Sequence, residues 1–150
     1  MKTSTKTIKE NQEVSLKKGI CLEFFSAYQD LELDRMLSLC DPEGNISFIP
    51  LGSDYSGKIH EAGKGLWAAL MDAFLDLDNT VTDQQYDEVD NAVTCTVDIF
   101  GTQQKDFAGL PTLGKRFRSE HIFIFKFTEE NKIRDIQVNW NHDSFVEQLT

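Results

Sequence analysis

Apolar residues recur at four-residue steps through Leu16, Ile20, Phe24 and Tyr28, and Cys21 and Phe25 widen the stripe into the face of an amphipathic helix. A shorter helix carries Leu33, Met36, Leu37 and Cys40 and stops at Asp41-Pro42-Glu43-Gly44, where proline and glycine punctuate the chain. Ile46, Phe48 and Pro50 predict a short strand, and residues 51–58, with Gly52, Asp54 and Gly57, a loop. A longer helix then holds Ile59, Leu66, Trp67, Leu70, Phe74 and Leu77 on one face and ends near residues 76–79. Gly63 and Gly65 inside it each cost about 1 kcal/mol relative to alanine, which predicts close approach of another backbone.

After Thr80 the apolar period changes from the helical value to alternation. In residues 92–100, Val93, Cys95, Val97 and Ile99 alternate with Thr94, Thr96 and Asp98, a strand with one buried face. Residues 116–127 alternate too, with Phe117, His121, Phe123, Phe125 and Phe127 on one side, but Ile122 and Ile124 make the other side apolar as well. Such a strand needs cover on both faces. Helices supply one cover, and a second copy of the chain supplies the other, which predicts a homodimer through the sheet face. Residues 129–131 form a turn, residues 133–141 return as a strand with Ile136, Val138 and Trp140 on one face, and residues 144–149 form one or two helical turns.

Helices followed by a run of strands give an α+β fold, a cone-shaped barrel in which N-terminal helices pack on a highly curved antiparallel sheet. The hollow where such a sheet fails to close is the default binding site.

Length and charge narrow the setting. At 150 residues and 40% hydrophobic content the chain builds one domain, read here as residues 13–150 behind a polar, flexible tail at residues 1–12. A net charge of −10 with scattered basic residues disfavours nucleic acid and anionic membrane as partners. The cysteines Cys21, Cys40 and Cys95 sit within apolar patterns, as in a reduced, cytoplasmic protein. No stretch of signal-peptide or membrane-span character is present.

Three stretches carry a family resemblance: Gly57-Lys58-Ile59 leading into the Trp67 helix; Asp106-Phe107-Ala108-Gly109-Leu110-Pro111 with Gly114-Lys115-Arg116-Phe117; and Lys132-Ile133-Arg134-Asp135 through Trp140 to Gln148-Leu149. In this order the chain, over residues 15–149, resembles the nuclear transport factor 2 superfamily of cystatin-like folds, and within it the SnoaL-like branch of polyketide and ester cyclases. The resemblance implies a cone, a hydrophobic pocket and frequent dimerisation. It implies no single reaction, because the scaffold hosts isomerases, cyclases, dehydratases and non-catalytic modules. Cyclases of the branch use a histidine and an aspartate on the two long strands; the matching positions are Phe123 and Val138, and neither transfers a proton. Ketosteroid isomerases use a helix-borne tyrosine and an aspartate on the first strand; these positions match Phe24 and Ile49, with a one-residue gap bringing Tyr28 or Asp54 near.

The candidate chemistry is therefore polar groups set in apolar rows. His121 falls in register with Phe123 and Phe125, and His142 with Val138 and Trp140, so both histidines point inward from neighbouring strands, His121 as the candidate proton carrier. Phe24, Tyr28, Trp67, Phe123, Val138 and Trp140 complete the expected pocket wall. Asp54, Tyr55, Phe107 and Leu110 belong to loops that overhang it. Lys115, Arg116 and Arg118 form a small basic cluster that either attracts an anionic ligand or pairs with surface carboxylates. The histidines are too scattered for a metal site, and the pattern calls for no cofactor. Two function classes fit: a cofactor-free lyase, isomerase or cyclase acting on a hydrophobic carbonyl compound, or a non-catalytic module that holds a small hydrophobic molecule.

Overall fold

In the computed structural model the backbone is described for residues 2–150 and the side chains from Gln12 onward. The tail expected over residues 1–12 therefore lies, Gln12 apart, outside the fully described residues. Helix α1 (Lys2–Gln29) buries Cys21, Phe24, Phe25, Ala27 and Tyr28, whereas Leu16, placed on the same stripe by its spacing, is half exposed. The helix ends where Leu31 takes a left-handed backbone and Glu32 N–H reaches back to the Ala27 carbonyl at 2.9 Å. Helix α2 (Leu33–Ser38) follows, and its Arg35 bridges Glu23, Asp30 and Glu32 at 2.7–3.2 Å, clamping the two helices together.

The next strand starts earlier than its apolar residues indicate. Strand β1 (Cys40–Phe48) runs straight through Asp41-Pro42-Glu43-Gly44, with Cys40 as its first residue rather than the last of a helix. Proline is accommodated because the pairing register shifts between Cys40 and Asn45, so no ladder hydrogen bond is asked of Pro42. Gly44 is required for another reason: a β-carbon there would meet the Arg134 carbonyl oxygen at 2.7 Å and the Ile59 side chain at 2.8 Å.

Two single turns (Ile49–Leu51 and Ser53–Tyr55), a two-residue strand β2 (Gly57–Lys58) and a wide turn (Ile59–Gly63) lead into α3 (Lys64–Ala73). The helical glycines do not admit another backbone. Gly63 makes room for the Trp67 ring, 3.0 Å from where its β-carbon would sit, and Gly65 faces open space.

Strands β3 (Asp78–Asp87), β4 (Ala92–Thr102), β5 (Arg116–Phe127) and β6 (Ile133–Trp140) then zigzag back across the sheet, and α4 (His142–Leu149) closes the chain. The strand order is β2-β1-β6-β5-β4-β3. The sheet is curved, unclosed and mixed, which corrects the antiparallel expectation: β1 pairs with β6 in parallel, and the other pairs are antiparallel. The long crossover through α3 carries the chain to the far edge, and three hairpins bring it back beside β1 running the same way.

One end of the concave face is solid. Phe24 and Phe25 of α1 pack against Phe123 and Phe125 of β5, and Phe24 against Trp67 of α3, at centroid distances of 4.9–6.4 Å, edge-to-face except for the tilted Phe24–Phe123 pair. On the convex face Ile122 and Ile124 lie half-buried in a row pairing with Thr96 and Thr94 of β4 and with Asn139 and Gln137 of β6. That face is mostly polar. No helix among the described residues is long and apolar enough to cross a membrane.

Candidate functional site

Towards the Trp140 end of β6 the aromatic packing opens into a cavity of about 50 Å³. Its wall includes Tyr28, Trp67, Phe123, Val138, Trp140, His121 and His142, all expected there from the sequence. Phe24, also expected, does not line it; that ring fills the solid end instead. Phe145 of α4 and Phe117 of β5 contribute walls that the sequence reading left unassigned.

Alternation along β5 puts His121 on the same face as Phe123, and the β5–β6 register sets it directly opposite Trp140. The two rings stack at 5.1 Å with 14° between their planes. Nδ1 of His121 lies 3.2 Å from the Ser119 carbonyl. A carbonyl only accepts, so Nδ1 carries the proton and Nε2 keeps its lone pair. Burial pushes the imidazole pKa down to about 4, against smaller opposing effects of the Ser119 hydrogen bond and the Asp98 charge. At neutral pH His121 is an uncharged hydrogen-bond acceptor.

His142 has the complementary polarity. It opens α4, whose N-cap Asn141 accepts from Ser144 N–H at 3.0 Å. The Trp140 indole N–H donates to His142 Nδ1 at 3.3 Å, so the neutral ring carries its proton on Nε2 and is a donor there. Phe145 stacks on the imidazole at 5.8 Å and 19°. Trp140 thus holds one histidine by its face and sets the tautomer of the other by its edge. Tyr28 adds a third polar group. It is 2% exposed, its hydroxyl takes no hydrogen-bond partner among the described residues, and burial raises its pKa, so it stays a neutral donor. No carboxylate hydrogen-bonds either histidine among the described residues.

Asp54 and Tyr55 do not reach this cavity. With Glu61, Ala62, Gly65 and Ala69 they line a separate outer groove of about 320 Å³. Phe107 and Ala108 border both spaces, as does Leu66. Leu110 lines neither; it pairs with Phe107 through backbone hydrogen bonds of 2.8 and 3.1 Å, closing a tight turn with Ala108 and Gly109 in left-handed conformations. The basic cluster is engaged elsewhere: Arg118 bonds Asp98 at 2.8 Å, Arg116 and Arg118 lie over the Phe100 ring, and Lys115 reaches the Thr150 carbonyl. His60 Nε2 sits 3.2 Å from the Cys40 carbonyl, away from the other histidines. Among the described residues no three histidine, cysteine or carboxylate side chains group as a metal site would require.

The architecture superimposes on solved structures over most of its length. A protein from Jannaschia classed as a SnoaL-like polyketide cyclase aligns with a TM-score of 0.77 at 15% identity, covering 90% of this chain and 92% of that one. The fold is that of the SnoaL-like cyclases. AclR from Streptomyces galilaeus, described as a hydroxylase, aligns with a TM-score of 0.76 at 21% identity, covering 90% of this chain and 96% of that one. SalBIII, an epoxide hydrolase/cyclase-like enzyme of pyran ring formation in the polyether salinomycin, aligns with a TM-score of 0.71 at 18% identity, covering 89% of this chain and 96% of that one. No family model and no curated protein matches the sequence. The differing descriptions of these neighbours fit one fold that hosts several chemistries.

Proposed function

We infer that the chain is a cofactor-free enzyme that moves a proton on a hydrophobic carbonyl compound, as a lyase, isomerase or cyclase. The observation that carries this reading is the pair of histidines on one apolar cavity wall, one held as an acceptor and the other as a donor. In such a reaction His121 Nε2 takes the proton adjacent to the carbonyl, and the carbonyl oxygen draws on His142 Nε2–H and the Tyr28 hydroxyl as negative charge develops. A histidine of pKa about 4 is a weak base in the empty site. Once an oxyanion forms nearby, the imidazolium gains a counter-charge in a water-poor cavity and its basicity rises with the reaction.

Polyketide cyclase and pyran-forming neighbours support a small organic substrate, and the apolar wall supports a hydrophobic one. The half-buried Ile122 and Ile124 support the homodimer through the convex face, and the free cysteines a reducing, cytoplasmic setting. Exchange of the α-protons of simple ketones into deuterated water, followed by NMR, tests the assignment. Wild-type protein accelerates exchange and His121→Phe abolishes the acceleration; equal rates for both overturn the reading.

A non-catalytic module is the second reading, and one observation favours it. The cavity, at about 50 Å³, is far below the roughly 300–1,000 Å³ usual for small-molecule sites. Ligand binding that survives in wild type with no exchange at any pH would decide for this module.

A further inference from the structure

The small inner volume and the adjacent outer groove are explained together. Phe107, Ala108 and Leu66 are shared walls, so only a thin partition divides a 50 Å³ space from a 320 Å³ one. The inner space is lined by Tyr28 and His121, whose hydroxyl and Nε2 make no hydrogen bond within the protein among the described residues. The partition is a strained piece of chain: Ala108 is a non-glycine residue at φ 48°, and at the loop's base the buried Gln103 Oε1 has no hydrogen-bond partner. Gln103 Nε2 meanwhile holds the Leu110 and Lys105 carbonyls, at 2.8 and 3.1 Å.

We propose that the cavity and the groove are two ends of one ligand site, parted by Phe107, and that its ligand is an elongated molecule with a compact carbonyl head inside and a tail ending in a protonated amine outside. The head follows from the donors and the acceptor in the apolar cavity. The tail follows from length and charge. A head small enough for the inner space leaves most of an ordinary ligand in the groove. There the alanines, Gly65 and Leu66 flank an alkyl chain, and Asp54 and Glu61, which make no ion pair among the described residues, meet a cation beside the half-exposed Tyr55 ring. An anionic tail is repelled by both carboxylates and by the chain's net charge of −10.

This inference rests on the reading of the inner cavity as the place of proton transfer, and the test separates the two. Three linear methyl ketones of nonyl length, ending in ammonium, hydroxyl or carboxylate, are titrated into the full-length protein while backbone amide and imidazole NMR signals are followed. The ammonium ketone is expected to bind about three- to tenfold more tightly than the carboxylate ketone. It should shift Tyr55, Gly65 and Ala108 together with His121, and lose its advantage in the Asp54→Asn, Glu61→Gln double variant. Equal affinities for the three ketones, or shifts confined to one end of the site, overturn the proposal. Binding across both ends without α-proton exchange supports it and overturns the enzymatic reading instead; exchange with no tail preference does the reverse.

Discussion

The two ends of the cone are built from the same strands and face the same helix, yet one is solid and the other hollow. Along β5, Phe125 and Phe123 meet Phe24 and Phe25 in interlocked, mostly edge-to-face contacts. Two residues earlier on the same face, the His121 ring stacks on Trp140, leans on Phe123 and borders the cavity. The helix supplies two phenylalanines at the solid end and the smaller contribution of Tyr28 at the hollow one, so volume runs short where α1 ends. The phenylalanines of α1 and β5 fill one end, whereas at the other the rings that interlock stand around a cavity and its polar groups.

This contrast is sharpest under truncation. Phe24→Ala removes a fully buried ring touching five other aromatic rings and is expected to cost about 3–5 kcal/mol in urea unfolding. Tyr28→Phe, at the hollow end, removes only a hydroxyl without a partner and should leave stability within about 1 kcal/mol of wild type. Equal losses would show that the two ends are packed alike.

The hollow end should instead reveal itself through pH. The folded pKa of His121, about 4, lies below its unfolded value near 6.5. Between these values the unfolded chain binds the proton and the folded one does not, so stability falls as pH drops from 6.5 towards 4 and is fully present above 6.5. The gap corresponds to roughly 3 kcal/mol at most. His121→Phe should flatten that part of the profile relative to wild type; parallel profiles would place the imidazole in contact with water.

A smaller effect belongs to the solid end of the sheet. Gly44→Ala drives a methyl group against the Arg134 carbonyl and Ile59, and is expected to destabilise by about 1–3 kcal/mol, with Ser47→Ala, further along the same strand, as the near-neutral comparison. The smallest change in stability, about 1 kcal/mol, is expected for Trp140→Phe, which keeps an aromatic face against His121 but loses the indole N–H. Its signature is chemical: ring nitrogen shifts of His142 should show the proton redistributing from Nε2 towards Nδ1. An unchanged tautomer would mean that Trp140 does not set it.

Much of this was legible in the residues because burial imposes a period. Val93 to Ile99 alternate without interruption and Phe117 to Phe127 keep an apolar residue at most inward positions, and β4 and β5 follow them closely. The signal failed where other forces decide. Strand β3 is an edge with polar residues at most positions, so its start at Asp78, before Thr80, left no apolar trace. Strand β1 runs through a proline and a glycine that usually end elements, because a bulge excuses one and a close carbonyl demands the other. The parallel pairing of β1 with β6 depends on where the chain returns, which no local pattern records.

The site divides in the same way. Alternation put His121 on the inward face of its strand, but its place opposite Trp140, and the Ser119 carbonyl and the indole N–H that assign the two tautomers, are matters of geometry rather than spacing. Asp54 and Tyr55 were legible as loop residues near a cavity, while their separation from it by Phe107 depends on how one tight turn folds inward.

Long-range proton–nitrogen NMR of the imidazole rings, recorded in wild-type protein from pH 7 down to pH 4, addresses the account at its centre. It should show His121 neutral through pH 5 with the proton on Nδ1, and the neutral form of His142 protonated on Nε2. A His121 that titrates near 6.5, or one carrying its proton on Nε2, would contradict the acceptor–donor pair on which the proposed chemistry stands.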